Sequence, residues 1–135
     1  MVINAEMFLA ELQAKEIKYM LRDLDNGGAV FGIMFDSILT SVIFEGNDEG
    51  KHVAFRTQIE KCPAEKTMDV LAVLNSLNEK YRWEKFYISS DGNIRVEDDA
   101  IVTPETAGEE CFELLIRTVQ IIKDVRPTIM KAMYV

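Results

Sequence analysis

Apolar and polar residues follow first a helical and then a strand period at the start of the chain. Asn4 is of a residue type that caps helices, and Phe8 and Leu12 lie four positions apart on one face of the segment that follows. Residues 4–15 are therefore predicted to form a short amphipathic helix. Residues 17–24 change to a two-residue period, and the Asp-Asn-Gly-Gly sequence at residues 25–28 is typical of a hairpin turn. The chain therefore begins with a helix that leads into a β-hairpin.

The next two segments are apolar at both odd and even positions. Residues 29–35 and 38–44 show this pattern, and a strand of that kind cannot leave one face in free water. We expect both faces of this part of the sheet to be covered. The sequence leaves open whether residues 38–44 form a separate strand or extend the previous one. Residues 52–59 alternate again, which predicts a half-exposed strand at the end of the meander.

A second helix and a second hairpin follow. Pro63 suits the first turn of a helix, and apolar residues then recur every three or four positions. The predicted stripe consists of Met68, Leu71, Leu74, Leu77 and Tyr81. Residues 85–88 and 94–96 flank an Asp-Gly pair, which predicts two strands joined by a tight turn.

The last predicted helix begins near Thr103, which is followed by Pro104. Its apolar stripe comprises Phe112, Leu115, Val119 and Ile122, widened by Leu114 and Ile121. Acidic residues lie early in this segment and basic residues late, which suits the helix dipole. Pro127 should end or bend the helix and leave residues 129–134 as a short apolar tail.

The order of these elements defines the expected fold class. We predict an α+β fold in which an antiparallel sheet is flanked by helices, in the order α-β-β-β(-β)-α-β-β-α. A length of 135 residues, with 48% apolar and 28% charged residues, fits one globular domain over residues 1–135.

Charge and composition exclude several classes of partner. The formal net charge of −8 argues against nucleic acid and anionic membranes, because both would repel the chain. No apolar run approaches the roughly 20 residues that span a bilayer, and no signal peptide is evident, so we expect a cytoplasmic protein. Cys62 and Cys111 should then remain reduced and serve core packing.

Four short motifs carry a resemblance to a known family. They are Leu-Asn-Ser-Leu-Asn at residues 74–78, Lys-Phe-Tyr-Ile at 85–88, Asp-Gly-Asn-Ile at 91–94 and Arg-Pro at 126–127. With these motifs the chain resembles the YbjN family of bacterial regulators. The resemblance implies a fold similar to the small chaperones of type III secretion. It also implies an often dimeric protein that binds other proteins rather than a catalyst, and it brings no catalytic residues.

The residues themselves predict no catalytic site, metal site or cofactor. His52 is the only histidine, and its position favours a solvated residue at the edge of a loop. No nucleophile elbow, phosphate loop or dinucleotide fingerprint is present. Residues 45–50 are similar to the start of a calcium loop, but Arg56 occupies the position of the bidentate glutamate, so a polar turn is the better interpretation.

The apolar surplus predicts an interaction surface. Residues 29–35 need two covering layers, so either the helices divide between both faces or a second subunit covers the sheet. The side chains that we expect on this protein-binding or dimer surface are Phe31, Ile33, Phe35, Val42 and Phe44. Met130, Met133 and Tyr134 in the tail either contact a partner or close the core.

Two polar features are further candidates. The segment from Glu97 to Glu113 contains no lysine or arginine, and it is either a solvated helix start or an acidic rim that attracts a basic partner. The candidate rim consists of Glu97, Asp98, Asp99, Glu109 and Glu110. Asn75 and Asn78 either contact the hairpin that follows their helix or border a binding groove.

These observations lead to one main hypothesis and two alternatives. The main hypothesis is a non-enzymatic, dimeric module that binds another protein or peptide. The first alternative is a small-molecule sensor that uses a pocket between helices and sheet to regulate a partner. The second is an enzyme that uses Asp98 and Asp99 as acid and base.

Overall fold

The computed structural model describes all 135 residues and contains three α-helices and six β-strands. The elements in chain order are α1 (Ile3–Ala14), β1 (Met20–Asp23), β2 (Ala29–Phe35), β3 (Ile38–Phe44), β4 (His52–Lys61), α2 (Thr67–Lys80), β5 (Lys85–Ile88), β6 (Asn93–Ile101) and α3 (Ala107–Tyr134). A 3₁₀ turn at Ala64–Lys66 follows Pro63 and leads into α2. The predicted α+β class and element order are confirmed.

All six strands form one antiparallel sheet in the order β1-β2-β3-β4-β6-β5. The crossover through α2 places β6 beside β4 and leaves β5 at the edge. The β4–β6 ladder extends from His52 opposite Ile101 to Lys61 opposite Asn93, with a register shift between Gln58 and Glu60. The second hairpin therefore joins the meander in one continuous sheet.

Residues 38–44 form a strand of their own, which resolves the question that the sequence left open. Phe35 lies opposite Ile38, so Asp36 and Ser37 alone make the turn. Both turn residues have positive φ, 50° and 67°, as a two-residue type I′ hairpin requires. This tight reversal gives β2 and β3 full antiparallel pairing.

The helices cover one face of the sheet and share a single core with it. Phe8 of α1 packs on Phe31 of β2 and Phe44 of β3, with ring centroids 5.0 and 5.7 Å apart. Most buried strand residues have the parity that points toward the helices; Ala54 is the exception, and the others include Ala29, Phe31, Ile33, Ile38, Val42, Phe44, Val53, Phe55, Ile94 and Val96. Cys62 and Cys111 are free and buried, and burial raises the pKa of the Cys111 thiol to about 12. Their predicted role in core packing is confirmed.

Several predicted boundaries and stripes need correction. Strand β1 begins at Met20 rather than near residue 17. Helix α2 buries Val70, Leu74 and Leu77, whereas Met68 is 77% exposed and Leu71 is also exposed. The three- and four-residue spacing fits two neighbouring stripes of one helix, and only the packing of α2 against α3 and β5 selects between them.

The N-terminal part of the prediction for α1 is also corrected. Val2 is the residue that precedes the helix, and Asn4 lies inside it and is buried. The Asn4 side-chain nitrogen donates to the Gly50 carbonyl at 2.9 Å, so the residue joins α1 to the loop before β4 instead of capping the helix.

Helix α3 begins at Ala107, four residues after the predicted start, and continues through Pro127 to Tyr134. Pro127 lies on the exposed side of the helix, as does Lys123, whose carbonyl loses its amide donor. Ile129 and Met133 are buried beyond it, and their packing holds the last turns in helical form. The predicted apolar tail is therefore part of the core helix.

Asn78 joins the end of α2 to the edge strand β5. Its side-chain nitrogen donates to the Phe86 carbonyl at 2.9 Å, and its side-chain oxygen accepts from the Phe86 amide at 2.7 Å. The amide group thus takes the place of a neighbouring strand at this position. The predicted contact between Asn78 and the second hairpin is confirmed, whereas the Asn75 side chain is exposed and makes no hydrogen bond.

Replacement of Asn78 by alanine should lower the free energy of unfolding by about 1 to 2 kcal/mol, because two hydrogen bonds to the edge strand are lost. Urea denaturation followed by circular dichroism measures this change. Asn75→Ala is the matched control, because it gives the same gain in helix propensity as Asn78→Ala without the loss of a side-chain hydrogen bond. Equal stability of the two variants would contradict this role of Asn78.

Candidate interaction surface

The face of the sheet that carries no helix is open, and its β1–β3 half is apolar. Met20, Met34 and Leu39 are 65%, 62% and 44% exposed on this face. Met34 lies directly opposite Leu39, and Met20 lies opposite Gly32. A Cβ at Gly32 would meet Met20 at 3.3 Å and Leu39 at 3.8 Å, so both side chains lean over the glycine. We call Met20, Met34 and Leu39 the apolar cluster.

The β4–β6–β5 half of the same face is charged. Arg56 holds the centre: its Nη2 lies 2.9 Å from Asp99 Oδ1, and its Nε lies 3.3 Å from Glu97 Oε1. Lys85 adds a second cation at 3.5 Å from Glu97. Tyr87 donates its hydroxyl hydrogen to Glu97 at 2.5 Å, and this bond raises the pKa of Tyr87.

A groove of about 580 Å³ lies where the two halves meet. Its walls include Leu39, Ser41, Arg56, Gln58 and Arg95. Leu39 is the one apolar residue of the lining, and the other lining residues offer hydrogen-bond donors and acceptors, with Arg56 and Arg95 against the single acid Glu97. This arrangement can contact a polypeptide that presents both apolar and polar groups.

The predicted interaction residues lie on the other face, so that prediction is wrong. Four of them, Phe31, Ile33, Val42 and Phe44, are fully or almost fully buried under the helices, and Phe35 is partly buried against the same core. Both parities of β2 and β3 are apolar, so the hydrophobic pattern does not indicate which parity the helices cover. The opposite parity supplies the exposed residues.

The predicted acidic rim is not one surface. Glu97 and Asp99 point to the open face and pair with Arg56. Asp98 lies between them on β6, so it points to the helix side and is buried. Glu109 and Glu110 are exposed in the first turn of α3. Strand alternation therefore divides the acidic segment among three locations.

Asp98 meets two residues that the sequence prediction missed. Thr118 Oγ1 on α3 lies 2.8 Å from Asp98 Oδ2 and 3.0 Å from Glu84 Oε1. Burial raises the pKa of both carboxyl groups, that of Glu84 to about 9. A signal for this cluster was present: Thr118 falls within the apolar stripe of α3 between Leu115 and Ile122.

A second cavity, of about 330 Å³, adjoins the joint between α2 and β5. Trp83, Ala100, Leu114 and Arg117 are among its lining residues. The Trp83 ring lies 5.5 Å from the Arg117 guanidinium carbon, and the backbone of Trp83 has a φ of 72°. This cavity lies between α3 and the end of β6.

The loop before β4 is a hydrogen-bonded turn. The two carboxylate oxygens of Asp48 accept from the backbone amides of Gly50 and His52, each at 3.1 Å. At the start of β4, His52 Nε2 lies 3.4 Å from Asp99 Oδ1 of β6. No group of three or more His, Cys, Asp or Glu side chains is placed to hold a metal ion.

None of the three helices combines the length and the apolar character needed to cross a bilayer. Although α3 has 28 residues, charged side chains occur along its whole length.

Comparisons with known proteins place this geometry in context. The sequence model of the YbjN family, described as "Putative bacterial sensory transduction regulator", matches residues 4–129. A search of curated protein sequences gave no match.

Three solved structures share the fold at low sequence identity. The ExsC–ExsE complex has a TM-score of 0.55 at 13% identity and covers 86% of this chain and 84% of the other. The HopA1–SchA chaperone–effector complex gives 0.53 at 12%, with coverage of 90% and 94%. The Yersinia pestis type III secretion chaperone SycH, in complex with a fragment of YscM2, gives 0.51 at 5%, with coverage of 87% and 98%. The predicted chaperone-like fold is confirmed.

The two faces of β2 should respond oppositely to the same substitution. Phe31→Asp should abolish folding, because it places an unpaired charge in the core at a cost above about 4 kcal/mol. Met34→Asp, on the open face of the same strand, should retain the fold with a loss of about 1 kcal/mol. Thermal unfolding by circular dichroism distinguishes them, and a folded Phe31→Asp protein would contradict this assignment of faces.

Proposed function

Because the chain belongs to the YbjN family, we propose that it is a non-enzymatic protein-binding module, chaperone-like or a regulatory adaptor, that acts as a dimer. In this proposal residues 1–135 work as one cytoplasmic domain. The observation that carries it is the open sheet face, where three large apolar side chains are exposed side by side. Contiguous apolar surface of this kind marks interaction sites in soluble proteins.

The chemistry of the open face suits polypeptide partners. Methionine side chains are flexible and polarisable, so Met20 and Met34 can adapt to a partner surface. The neighbouring ion pairs around Arg56 add polar contacts that fix orientation more than affinity. In the proposed dimer the apolar cluster of each copy packs against the other, and the groove beside Ser41 remains for the partner polypeptide.

The similar structures support a binding role. Two of them are complexes described as a chaperone with an effector or with a fragment of another protein, and the third is the ExsC–ExsE complex. The same fold thus occurs in complexes with a protein partner. At 5 to 13% identity these structures leave the partner of this chain undefined.

The placement of the acids argues against the enzyme hypothesis. Asp98 and Asp99 point to opposite faces of the sheet, so they cannot act together on one substrate. Asp98 is buried among core residues, and Asp99 is engaged by Arg56 at 2.9 Å. A pair of acids for proton transfer needs a common substrate within reach of both.

The small-molecule sensor is the second candidate function, and the cavity beside Trp83 favours it. A bound metabolite should raise the melting temperature of the wild type, and Trp83→Ala should abolish that increase because it removes one wall of the cavity. Thermal denaturation with a panel of metabolites provides the test. No increase with any of them would remove the support for this candidate.

The proposed dimer predicts a solution mass of about twice the 15.4 kDa of the chain. Light scattering on a sizing column should give this mass for the wild type at low and high salt, because apolar contact is not screened by ions. Met34→Asp combined with Leu39→Asp should give a folded monomer. Met68→Asp, an exposed apolar residue on α2, is the matched control and should remain dimeric.

The same experiment extends to the partner. Ser41→Trp should fill the groove and eliminate proteins that co-purify with the wild type from native lysate, whereas Met68→Trp should retain them. A monomeric wild type would contradict the dimer. Identical captured proteins with Ser41→Trp and with the wild type would contradict the proposed binding surface.

A further inference from the structure

Two carboxyl groups face each other in the core without a counter-ion. Glu84, just before β5, is 6% exposed, and Asp98 on β6 is 4% exposed. Both approach the same hydroxyl oxygen, that of Thr118 on α3. Their outer oxygens, Glu84 Oε2 and Asp98 Oδ1, have no hydrogen-bond partner. Buried charges without a partner are rare because the loss of hydration is not recovered.

The number of available protons limits the charge of this cluster. Thr118 Oγ1 lies within 3.0 Å of three acceptors: Glu84 Oε1, Asp98 Oδ2 and the Leu114 carbonyl oxygen. A threonine hydroxyl has a single hydrogen, so it can donate to only one of them at a time. The remaining close contacts are favourable only if a carboxyl group supplies a hydrogen of its own. At least one of the two acids must therefore be protonated.

No basic side chain compensates a second negative charge. Neither carboxyl group has a Lys, Arg or His nitrogen within 4.0 Å. Arg56 of β4 reaches only the backbone carbonyl of Asp98, at 3.0 Å, and its charge lowers the pKa of Asp98 while that of Asp99 raises it.

The cations of the other surrounding elements are engaged elsewhere or lie on the surface. Arg117 of α3 pairs with Glu113, and Lys85 of β5 pairs with Glu97 on the open face. Lys80 at the end of α2 lies over the Tyr81 ring. No salt bridge therefore stabilises either of the two carboxyl groups.

We propose that Glu84 and Asp98 share one buried proton, and that this proton fastens the joint between α2 and β5 to β6 and α3. The inference is independent of the proposed function, because the cluster lies on the helix side of the sheet, away from the open face. It also gives Thr118 a role: its hydroxyl is the polar contact of α3 with both carboxyl groups.

The proton belongs mainly to Glu84. Burial, reinforced by the hydrogen bond and the charge of Asp98, raises the pKa of Glu84 to about 9. Burial also raises the pKa of Asp98, but hydrogen bonds from Glu84 and Thr118 act in the opposite direction. Glu84 is thus the acid that mainly carries the proton.

Loss of the proton should change the conformation of the joint between α2 and β5, which consists of residues 81–84. Residues 81–84 belong to no helix or strand, and Trp83 has a φ of 72°, a conformation that a bulky residue rarely adopts. With both acids ionised, repulsion drives Glu84 away from Asp98 and moves Trp83 with it. Trp83 is the only tryptophan of the chain, so its fluorescence reports the joint directly.

The direction of the pH effect follows from the raised pKa. Folded Glu84 retains a proton that the unfolded chain releases above its ordinary pKa of 4.5. The stability that this proton contributes is therefore complete at acid pH and is lost as pH rises toward about 9. One extra proton in the folded state corresponds to a folding equilibrium constant that falls about tenfold per pH unit in this range.

Urea denaturation of the whole chain between about pH 6 and pH 8 tests the proposal. The folding equilibrium constant of the wild type should fall with pH, whereas that of Glu84→Gln should not show this fall, because its amide carries no titrating proton. Glu113→Gln, an exposed acid on α3, is the matched control and should keep the wild-type slope. The emission maximum of Trp83 in the folded wild type should shift as pH rises toward about 9, and that of Glu84→Gln should not.

A second measurement needs no variant to fold. Infrared spectra of the wild type at neutral pH should contain the carbonyl band of a protonated carboxylic acid. Asp98→Asn removes the charge of the second acid but leaves Glu84 buried, so its slope should be smaller than that of the wild type without becoming flat. Equal slopes for the wild type and Glu84→Gln, or absence of the acid band, would overturn the shared proton. So would a stability that depends on added Ca²⁺ or on a chelator instead of on pH, because a metal ion would then occupy the pair.

Discussion

A β-strand sends its side chains alternately to two faces, and the helices of this chain all lie on one of them. Every other property of the molecule depends on this division. Phe8 of α1 meets Phe31 and Phe44 from the covered side, and these aromatic contacts lie at the centre of the core. Met34, three residues beyond Phe31, points the other way and remains in solvent. The sheet thus stabilises the fold with one face and presents a surface with the other.

Local pattern was sufficient for much of the architecture. The period of the apolar residues identified all three helices and both hairpins, because side-chain spacing reports helix and strand directly. Details that depend on tertiary packing were harder to obtain. Pro127 normally ends a helix, yet the burial of Ile129 and Met133 outweighs its local cost. The role of Asn4 changed for a similar reason, since its partner Gly50 is remote in sequence.

The sequence indicated that part of the sheet surface would be apolar, but it did not indicate which residues would form that surface. The apolar surplus of residues 29–44 indicated more hydrophobic side chains than one covering layer of helices can bury, and Met34 and Leu39 are indeed exposed. Which parity would be exposed depends on where the helices pack, and sequence periodicity contains no such information. The Glu84–Asp98–Thr118 cluster shows the same limit, because its three residues are separated by 14 to 34 positions along the chain.

The bond between Asn78 and Phe86 has a consequence for aggregation. A six-stranded sheet has two edges, and unpaired edge groups invite a foreign strand to add to the sheet. Here both edge strands, β1 and β5, have only four residues, and the Asn78 amide occupies both hydrogen-bonding groups of Phe86 on β5. The chain can therefore keep one face of its sheet uncovered while it offers neighbouring molecules little backbone on which to nucleate a fibre.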